Sequence, residues 1–262
     1  MTELPAQNVP SAASSPWWKL RAVWIYGAIT AGELRDHDAK DDVRYAVLLE
    51  AVDRLVIPGG RVVATDPYVM EAEPEPFEQL LGADSADVIV ARAVVGEGHE
   101  RVAALILRVG SEPIADWVMA TVAGQDVTTL DGEGFFGYGV DAGTGSFGSP
   151  EAMRVAGRVL HTDAGMLDDP MSRALFSDGI GTRSAVVVAP EAGATPVAVC
   201  SSGWGDGFYP TWLGLNSSGT AIVAVTDFLL TGDPHAAPPP ERTGEAPAKT
   251  RPKSLLRRWF GG

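Results

Sequence analysis

The chain has 262 residues, 45% of them hydrophobic and 21% charged, which is ordinary composition for a globular protein. Its net charge of −14 repels phosphate backbones and excludes broad nucleic-acid binding, and no apolar run is long enough for a transmembrane helix. The single cysteine, Cys200, excludes an internal disulfide and fits a reducing cytoplasm.

Both ends of the chain differ in composition from its middle. Residues 1–16 are rich in Pro, Ser and Ala and are predicted to form a disordered leader. Residues 232–262 contain six prolines and three more basic than acidic residues, which predicts a disordered tail with a basic, apolar tip, "KSLLRRWF". The pattern favours a solvated tip and leaves open contact with a membrane or with the chain's own domain. Residues 17–231 are then one globular domain that needs neither tail to fold.

A helical pattern opens the domain, and strand patterns follow it. Residues 33–54 are predicted to be helical because apolar residues such as Val43, Val47 and Ala51 recur at helical spacing. The preceding run, residues 22–31, is too short and too aromatic for a secretion signal. Strands are predicted in "GGRVVATDPYV", "ADVIVARAVV", "HERVAALILRV", "IADWVMATVA" and "FFGYGVD".

Two helix starts and four more strands complete the domain. Ser149 and Asp169 are each followed by proline, which predicts a helix to about Leu160 and a short second helix, "PMSRALF". The strands are "TRSAVVVA", "PVAVCSS", "YPTWLGL" and "TAIVAVTDFLL", and the turn "NSSG" joins the last two as an antiparallel hairpin. The sequence therefore predicts an α+β fold, mainly antiparallel sheet with a few helices and disordered N- and C-terminal tails.

Four aspartates stand where predicted strands meet turns: Asp66, Asp141, Asp206 and Asp227. A carboxylate in such a position can cap a turn, bind a metal ion or act as a base, and capping is the commonest of these roles. A site for a divalent metal requires that Asp141 and Asp206 converge, with Asp66 as a further candidate. The four histidines are scattered, and no nucleophile elbow is present.

The segment "DAGTG", residues 141–145, resembles the first phosphate loop of actin-like and Hsp70-like ATPases. In those proteins backbone amides near the glycines hold phosphate. Here the segment lies past the midpoint of the chain, and no lysine-bearing Walker signature accompanies it. Both points argue against an ATPase.

The segment "GWGDGFYPTW", residues 203–212, is predicted to be a structural turn that presents a surface. Its alternating glycines suit a backbone that needs positive φ or close approach at several points. Pro210 lacks an amide donor, so residues 209–212 should begin at a sheet edge or at a strand start rather than in the middle of a sheet. We expect Trp204 to be partly buried and Asp206 to accept backbone hydrogen bonds across the loop.

Taken in order, "GGRVVATDPY", "RVAALILRV", "GYGVDAGTGSF", "SSGWGDGFYPTWLGL" and "IVAVTDF" resemble the bacterial domain of unknown function 4241 family, over roughly Leu55 to Leu229. The resemblance implies a soluble bacterial domain and supplies no catalytic residues. It makes the motif positions the candidates for ligand binding. They are Asp66, Asp141, Gly143, Thr144, Gly145, Trp204, Gly205, Asp206, Gly207, Tyr209 and Asp227.

Two functions are compatible with these residues, and whether the chain is an enzyme stays open. The favoured one is a non-enzymatic binding or interaction domain in the cytoplasm, whose acidic surface suits a protein partner with a basic surface. The alternative is a metal-assisted hydrolase that uses the strand-end aspartates with a divalent cofactor.

Overall fold

The computed structural model describes residues 3–8, 15–37, 39, 42–70, 74–160, 169–176 and 184–232. The helices are α1 (Trp17–Ala31), α2 (Pro150–Leu160) and α3 (Pro170–Leu175). The strands are β1 (Glu33–Asp36), β2 (Val43–Val56), β3 (Val63–Thr65), β4 (Ser85–Gly96), β5 (His99–Arg108), β6 (Asp116–Met119), β7 (Tyr138–Val140), β8 (Thr144–Gly148), β9 (Ala185–Val188), β10 (Val197–Ser201), β11 (Gly207–Tyr209), β12 (Thr211–Leu215) and β13 (Ala221–Asp227).

Antiparallel sheet dominates the structure, as the sequence predicts. The larger sheet has seven strands in the order β1-β2-β4-β5-β13-β12-β6, and the smaller has four in the order β3-β8-β10-β9. A third, two-stranded ribbon pairs β11 with β7. The fold is therefore α+β and mainly antiparallel sheet with three helices among the described residues.

The core is built in four layers. Helix α1 packs on one face of the seven-stranded sheet, and the four-stranded sheet packs on its other face. Helices α2 and α3 cover the outer face of the four-stranded sheet. Each layer buries apolar side chains against the next, and this burial drives the sheets together.

Both predicted helix starts and the last hairpin are confirmed. The Ser149 hydroxyl accepts a hydrogen bond from the Ala152 amide at 3.2 Å, and the Asp169 carboxylate accepts two from the first turn of α3. Strands β12 and β13 form the antiparallel hairpin. Their turn is held by the Asn216 side chain, which accepts bonds from the Ser218 and Thr220 amides.

The helix predicted over residues 33–54 is wrong. These residues form β1 and the long strand β2, which pair with each other and with β4. The spacing of four from Val43 to Val47 to Ala51 also fits one face of a strand, and a β-bulge lies between Ala51 and Asp53. The bulge shifts the alternation of side chains, so Val47 packs in the core beneath α1 whereas Leu55 packs between the sheets. The helix of this region is α1, which begins earlier, at Trp17.

The disordered leader predicted over residues 1–16 is wrong for residues 3–8. Gln7 forms a parallel bridge with Ile114, and the buried Pro5 accepts the Tyr26 hydroxyl hydrogen bond at 2.7 Å. The Gln7 side chain donates to the Val23 carbonyl at 2.8 Å and accepts from the Trp117 indole at 3.0 Å. The segment thus joins α1 to the sheet. The predicted tail, residues 232–262, lies outside the described residues apart from Gly232.

Gln7→Ala should lower the free energy of unfolding by about 1–3 kcal/mol, because the buried Trp117 indole and the Val23 carbonyl lose their partner. Asn8→Ala is the matched control, since only the Asn8 backbone bonds to the domain. Its effect should stay within about 0.5 kcal/mol. Urea unfolding of both full-length variants measures the difference. Equal stability of the two would show that the segment contributes nothing.

Candidate functional site

The two glycine loops of the sequence lie side by side. In the two-stranded ribbon, Gly207 of β11 is paired with Val140 of β7, so Asp206 and Asp141 follow next at the ends of the paired strands. The Ser202 amide donates to the Gly143 carbonyl at 3.0 Å. Two segments about 60 positions apart in the chain thus form one surface.

Asp66 fastens the first of these loops from beneath. Its fully buried carboxylate accepts hydrogen bonds from the amides of Ala142 at 2.8 Å and Asp141 at 3.1 Å. It also accepts the Thr144 hydroxyl at 2.7 Å and the Tyr68 amide at 3.1 Å. These four bonds occupy both carboxylate oxygens, so Asp66 caps the turn from a distant strand end.

Two opposed effects act on the pKa of the Asp66 carboxyl. Burial raises the pKa of the carboxyl, because the charged form loses its hydration. The bonds from Thr144, Ala142, Tyr68 and Asp141 favour the charged form and oppose that shift. The amides that a phosphate loop offers to phosphate are here directed at a carboxylate of the same chain.

The second loop depends on glycine at two turn positions. Gly203 and Gly205 have φ values of 40° and 109°, where a side chain is strained. The turn is closed by the Gly205 amide, which donates to the Ser202 carbonyl, and by the Ser202 and Tyr209 hydroxyls, which each donate to the Gly205 carbonyl at 2.8 Å. This confirms that the loop is a built turn.

The bonds expected at Asp206 are not those that hold this turn. Among the described residues, none donates a hydrogen bond to the Asp206 carboxylate, which is exposed. Ser202 closes the turn instead, because its short hydroxyl reaches the Gly205 carbonyl. The carboxylate of Asp206 is therefore available to solvent and to a ligand.

Trp204 is more exposed than the sequence suggests. Its side chain is 57% exposed, yet one edge is fixed because the indole N–H donates to the Leu230 carbonyl at 2.8 Å. The Arg101 guanidinium lies 5.3 Å from the centre of the indole ring, within cation–π range. The ring is thus held in place with much of its surface open.

Phe208 is a second exposed aromatic that the sequence reasoning did not single out. It is 49% exposed, and its ring stacks on Phe135 with centroids 5.9 Å apart. Phe135 stacks in turn on Trp17 at the start of α1. The signal was present in the alternation of β11, where Tyr209 is buried and Phe208 therefore points the other way.

We call the exposed surface formed by Asp141, Gly143, Trp204, Asp206 and Phe208 the loop face. It combines two aromatic rings held by their contacts, two exposed carboxylates and glycine backbone. Arg101 beneath Trp204 is the cation that the described contacts place at this surface. Aromatic rings with accessible polar groups are the composition typical of recognition surfaces.

The remaining candidates support this surface from within. Thr144 and Gly145 are buried in β8, and a Cβ at Gly145 would lie 2.7 Å from the Phe228 ring. Burial raises the pKa of the Tyr209 hydroxyl, and the Asp206 carboxylate adds to the shift. Burial also raises the pKa of the Cys200 thiol, which keeps it protonated and inert.

Asp227 lies apart from the other aspartates in a buried ion pair. Its carboxylate accepts hydrogen bonds from Nε of Arg21 at 2.7 Å and from Nη2 of Arg21 at 3.1 Å. The Leu229 amide and the Trp212 indole complete its contacts, at 2.9 and 3.4 Å. This pair fastens α1 to β13, and the sequence reasoning missed Arg21 although it stands in an apolar run.

The hydrolase hypothesis requires aspartates that are free to bind a metal ion, and protein donors occupy two of the four. Asp66 and Asp227 are saturated by protein donors, and Asp141 and Asp206 remain as an exposed pair. Within residues 3–8, 15–37, 39, 42–70, 74–160, 169–176 and 184–232, no three His, Cys, Asp or Glu side chains are arranged to hold a metal ion. In the same part of the chain, no helix has the length and apolarity to cross a membrane.

Comparison with known proteins gives a family and no function. The family model described as "Protein of unknown function (DUF4241)" matches residues 55–226, about two thirds of the chain, which therefore belongs to this family. The match ends one residue before Asp227, and α1 lies outside it. No curated protein and no solved structure matches the chain.

Proposed function

We propose that this member of a family of unknown function is a non-enzymatic binding domain, and that the loop face is where it binds a protein partner with a basic surface. The observation that carries the proposal is the exposure of Trp204, 57%, and Phe208, 49%, on a turn whose backbone is fixed by internal hydrogen bonds. A large exposed aromatic that is already held in one orientation loses little entropy when it binds.

Charge supports a basic partner. Asp141 and Asp206 stand at the open end of the ribbon, and the described residues bring no ion-pair partner to either carboxylate. The whole chain carries −14, which attracts a cationic surface over long range and raises the association rate at low salt. We place this interaction in the cytoplasm, because the single cysteine requires no oxidising compartment.

Trp204→Ala should abolish partner capture and leave the fold nearly as stable as before. Removal of a ring that is more than half exposed, with one hydrogen bond, should cost only about 1 kcal/mol of unfolding free energy. The test is capture of proteins from the source cells on the immobilised full-length chain, with each variant's melting temperature measured in parallel. Asp206→Asn should weaken the same capture and reduce its salt dependence.

Leu48→Ala is the matched control, because Leu48 is 44% exposed on β2, outside the loop face. It should capture the same protein as the wild type. Hydrogen exchange on the recovered complex should show protection at residues 138–145 and 201–209. A partner retained equally by Trp204→Ala, or protection confined to other segments, would overturn the proposal.

A further inference from the structure

The described chain ends beside the loop face. The Leu230 carbonyl accepts the Trp204 indole hydrogen bond, and the next carbonyl, that of Thr231, accepts from Arg21 at 3.3 Å. Residues 230 and 231 are thus fixed at the edge of this surface, and thirty residues of the sequence follow Gly232.

The continuing sequence complements the loop face in charge and in apolar character. The segment "KSLLRRWF", residues 253–260, contains Lys253, Arg257 and Arg258 without an acidic residue, and also two leucines, a tryptophan and a phenylalanine. The loop face offers the opposite charges, at Asp141 and Asp206, and aromatic rings. Arginine and aromatic side chains are enriched among the residues that contribute most to binding at interfaces.

The sequence between Gly232 and Lys253 is long enough for residues 253–260 to contact the loop face. Twenty residues separate Gly232 from Lys253, and peptide linkers of that length span roughly 25 Å on average. A segment tethered at this length is present at an effective concentration on the order of 1 mM, so even weak affinity gives substantial occupancy.

We propose that residues 253–260 occupy the loop face of their own chain and compete there with the basic partner. This inference rests on the proposed function for its regulatory meaning, whereas the contact itself does not require a partner. The partner must displace the segment. The apparent affinity of the partner is therefore its intrinsic affinity multiplied by the fraction of molecules in which the loop face is free.

Carbodiimide crosslinking of the full-length chain tests the contact directly, because it joins a lysine amine to a touching carboxylate. We expect links from Lys249 or Lys253 to Asp141 or Asp206, and their loss in the Arg257→Glu, Arg258→Glu double variant. The ion pair of Lys19 with Asp116, at 2.7 Å, is an internal control that should crosslink in every sample. In a mixture of ¹⁴N- and ¹⁵N-labelled chains, the tail links should join peptides of the same label only.

Hydrogen exchange supplies a second readout that does not depend on lysine reach. Amides of residues 203–208 should exchange at least about threefold more slowly in the wild type than in the double variant, as expected for a mostly occupied tethered site. Equal exchange rates, or tail links only to other carboxylates or between differently labelled chains, would overturn the proposal.

Capture experiments separate this inference from the proposed function. If both hold, the double variant captures more partner than the wild type, and Trp204→Ala captures none. Unchanged capture by the double variant together with loss in Trp204→Ala rejects only the tail contact. Intact tail crosslinks with capture that is insensitive to Trp204 reject only the partner site.

Discussion

Asp227→Ala should lower the free energy of unfolding by about 3–5 kcal/mol, because it leaves the Arg21 guanidinium buried without its carboxylate. Arg21 and Asp227 are 1% and 0% exposed, and the two groups form a bidentate pair. Two of the other contacts of Arg21, with the Thr231 carbonyl and the Trp24 ring, supply no negative charge. Urea unfolding of the full-length chain measures the loss.

Asp87→Ala is the matched control for that substitution. Its ion pair with Arg108 has a similar distance, 2.7 Å, but the side chains are 43% and 24% exposed, so the cost should be within about 1 kcal/mol. The double variant Arg21→Met, Asp227→Leu should recover most of the stability lost in Asp227→Ala, since no buried charge remains. If Asp227→Ala costs no more than Asp87→Ala, the pair does not fasten α1 to the sheet.

The sequence contains an indication of the Arg21–Asp227 ion pair that composition and residue spacing alone do not reveal. Arg21 opens the apolar run "RAVWIYGAITA" and Asp227 lies in "AIVAVTDFLL", so each charge belongs to a segment with no other charged residue. A charged side chain that is fully buried needs a partner, and opposite charges in two such segments predict contact. The segments are about 200 residues apart, and only the packing of α1 on the seven-stranded sheet brings them together.

Local chemistry explains which elements the sequence predicted. Helices α2 and α3 begin at capping residues followed by proline, and the β12–β13 hairpin has a turn residue whose side chain closes it. Strand β2 was misread because Val43, Val47 and Ala51 recur every four residues, which fits a helix as well as a strand, and the bulge at residues 51–53 then interrupts the alternation. Local spacing carries no record of the bulge, since the extra residue is defined by its partner strand.

The candidate site was predictable in its parts and not in its assembly. The sequence identified both glycine loops and Asp66, but their contact depends on the pairing of β7 with β11 and on hydrogen bonds across about 75 positions. It predicted partial burial for Trp204, and the structure fixes the indole edge while 57% of the side chain stays exposed. Non-local pairing of this kind leaves no periodic signal.

The expected effect of Asp66→Ala is a loss of about 3 kcal/mol or more, because four buried or partly buried donors lose one acceptor. Asp141→Ala is the control, since the Asp141 side chain is exposed and its amide still donates to Asp66. Its effect on stability should stay within about 0.5 kcal/mol. Equal stability of the two variants would show that the carboxylate does not hold the loop.

The same variant tests what the glycine loop can bind. With the carboxylate removed, the amides of Asp141 and Ala142 and the Thr144 hydroxyl face an open space and should accept a small anion. Formate at about 100 mM should raise the melting temperature of Asp66→Ala more than sodium chloride of equal ionic strength, because a ligand that binds only the folded state stabilises it. The melting temperature of the wild type, whose donors are occupied, should not respond to formate or to phosphate.

A wild-type response to phosphate would mean that the loop binds phosphate without displacement of Asp66. That result would support the resemblance to the phosphate loops of ATPases. An absent response in both proteins would show that the donors need the geometry of Asp66 itself, held between β3 and the loop.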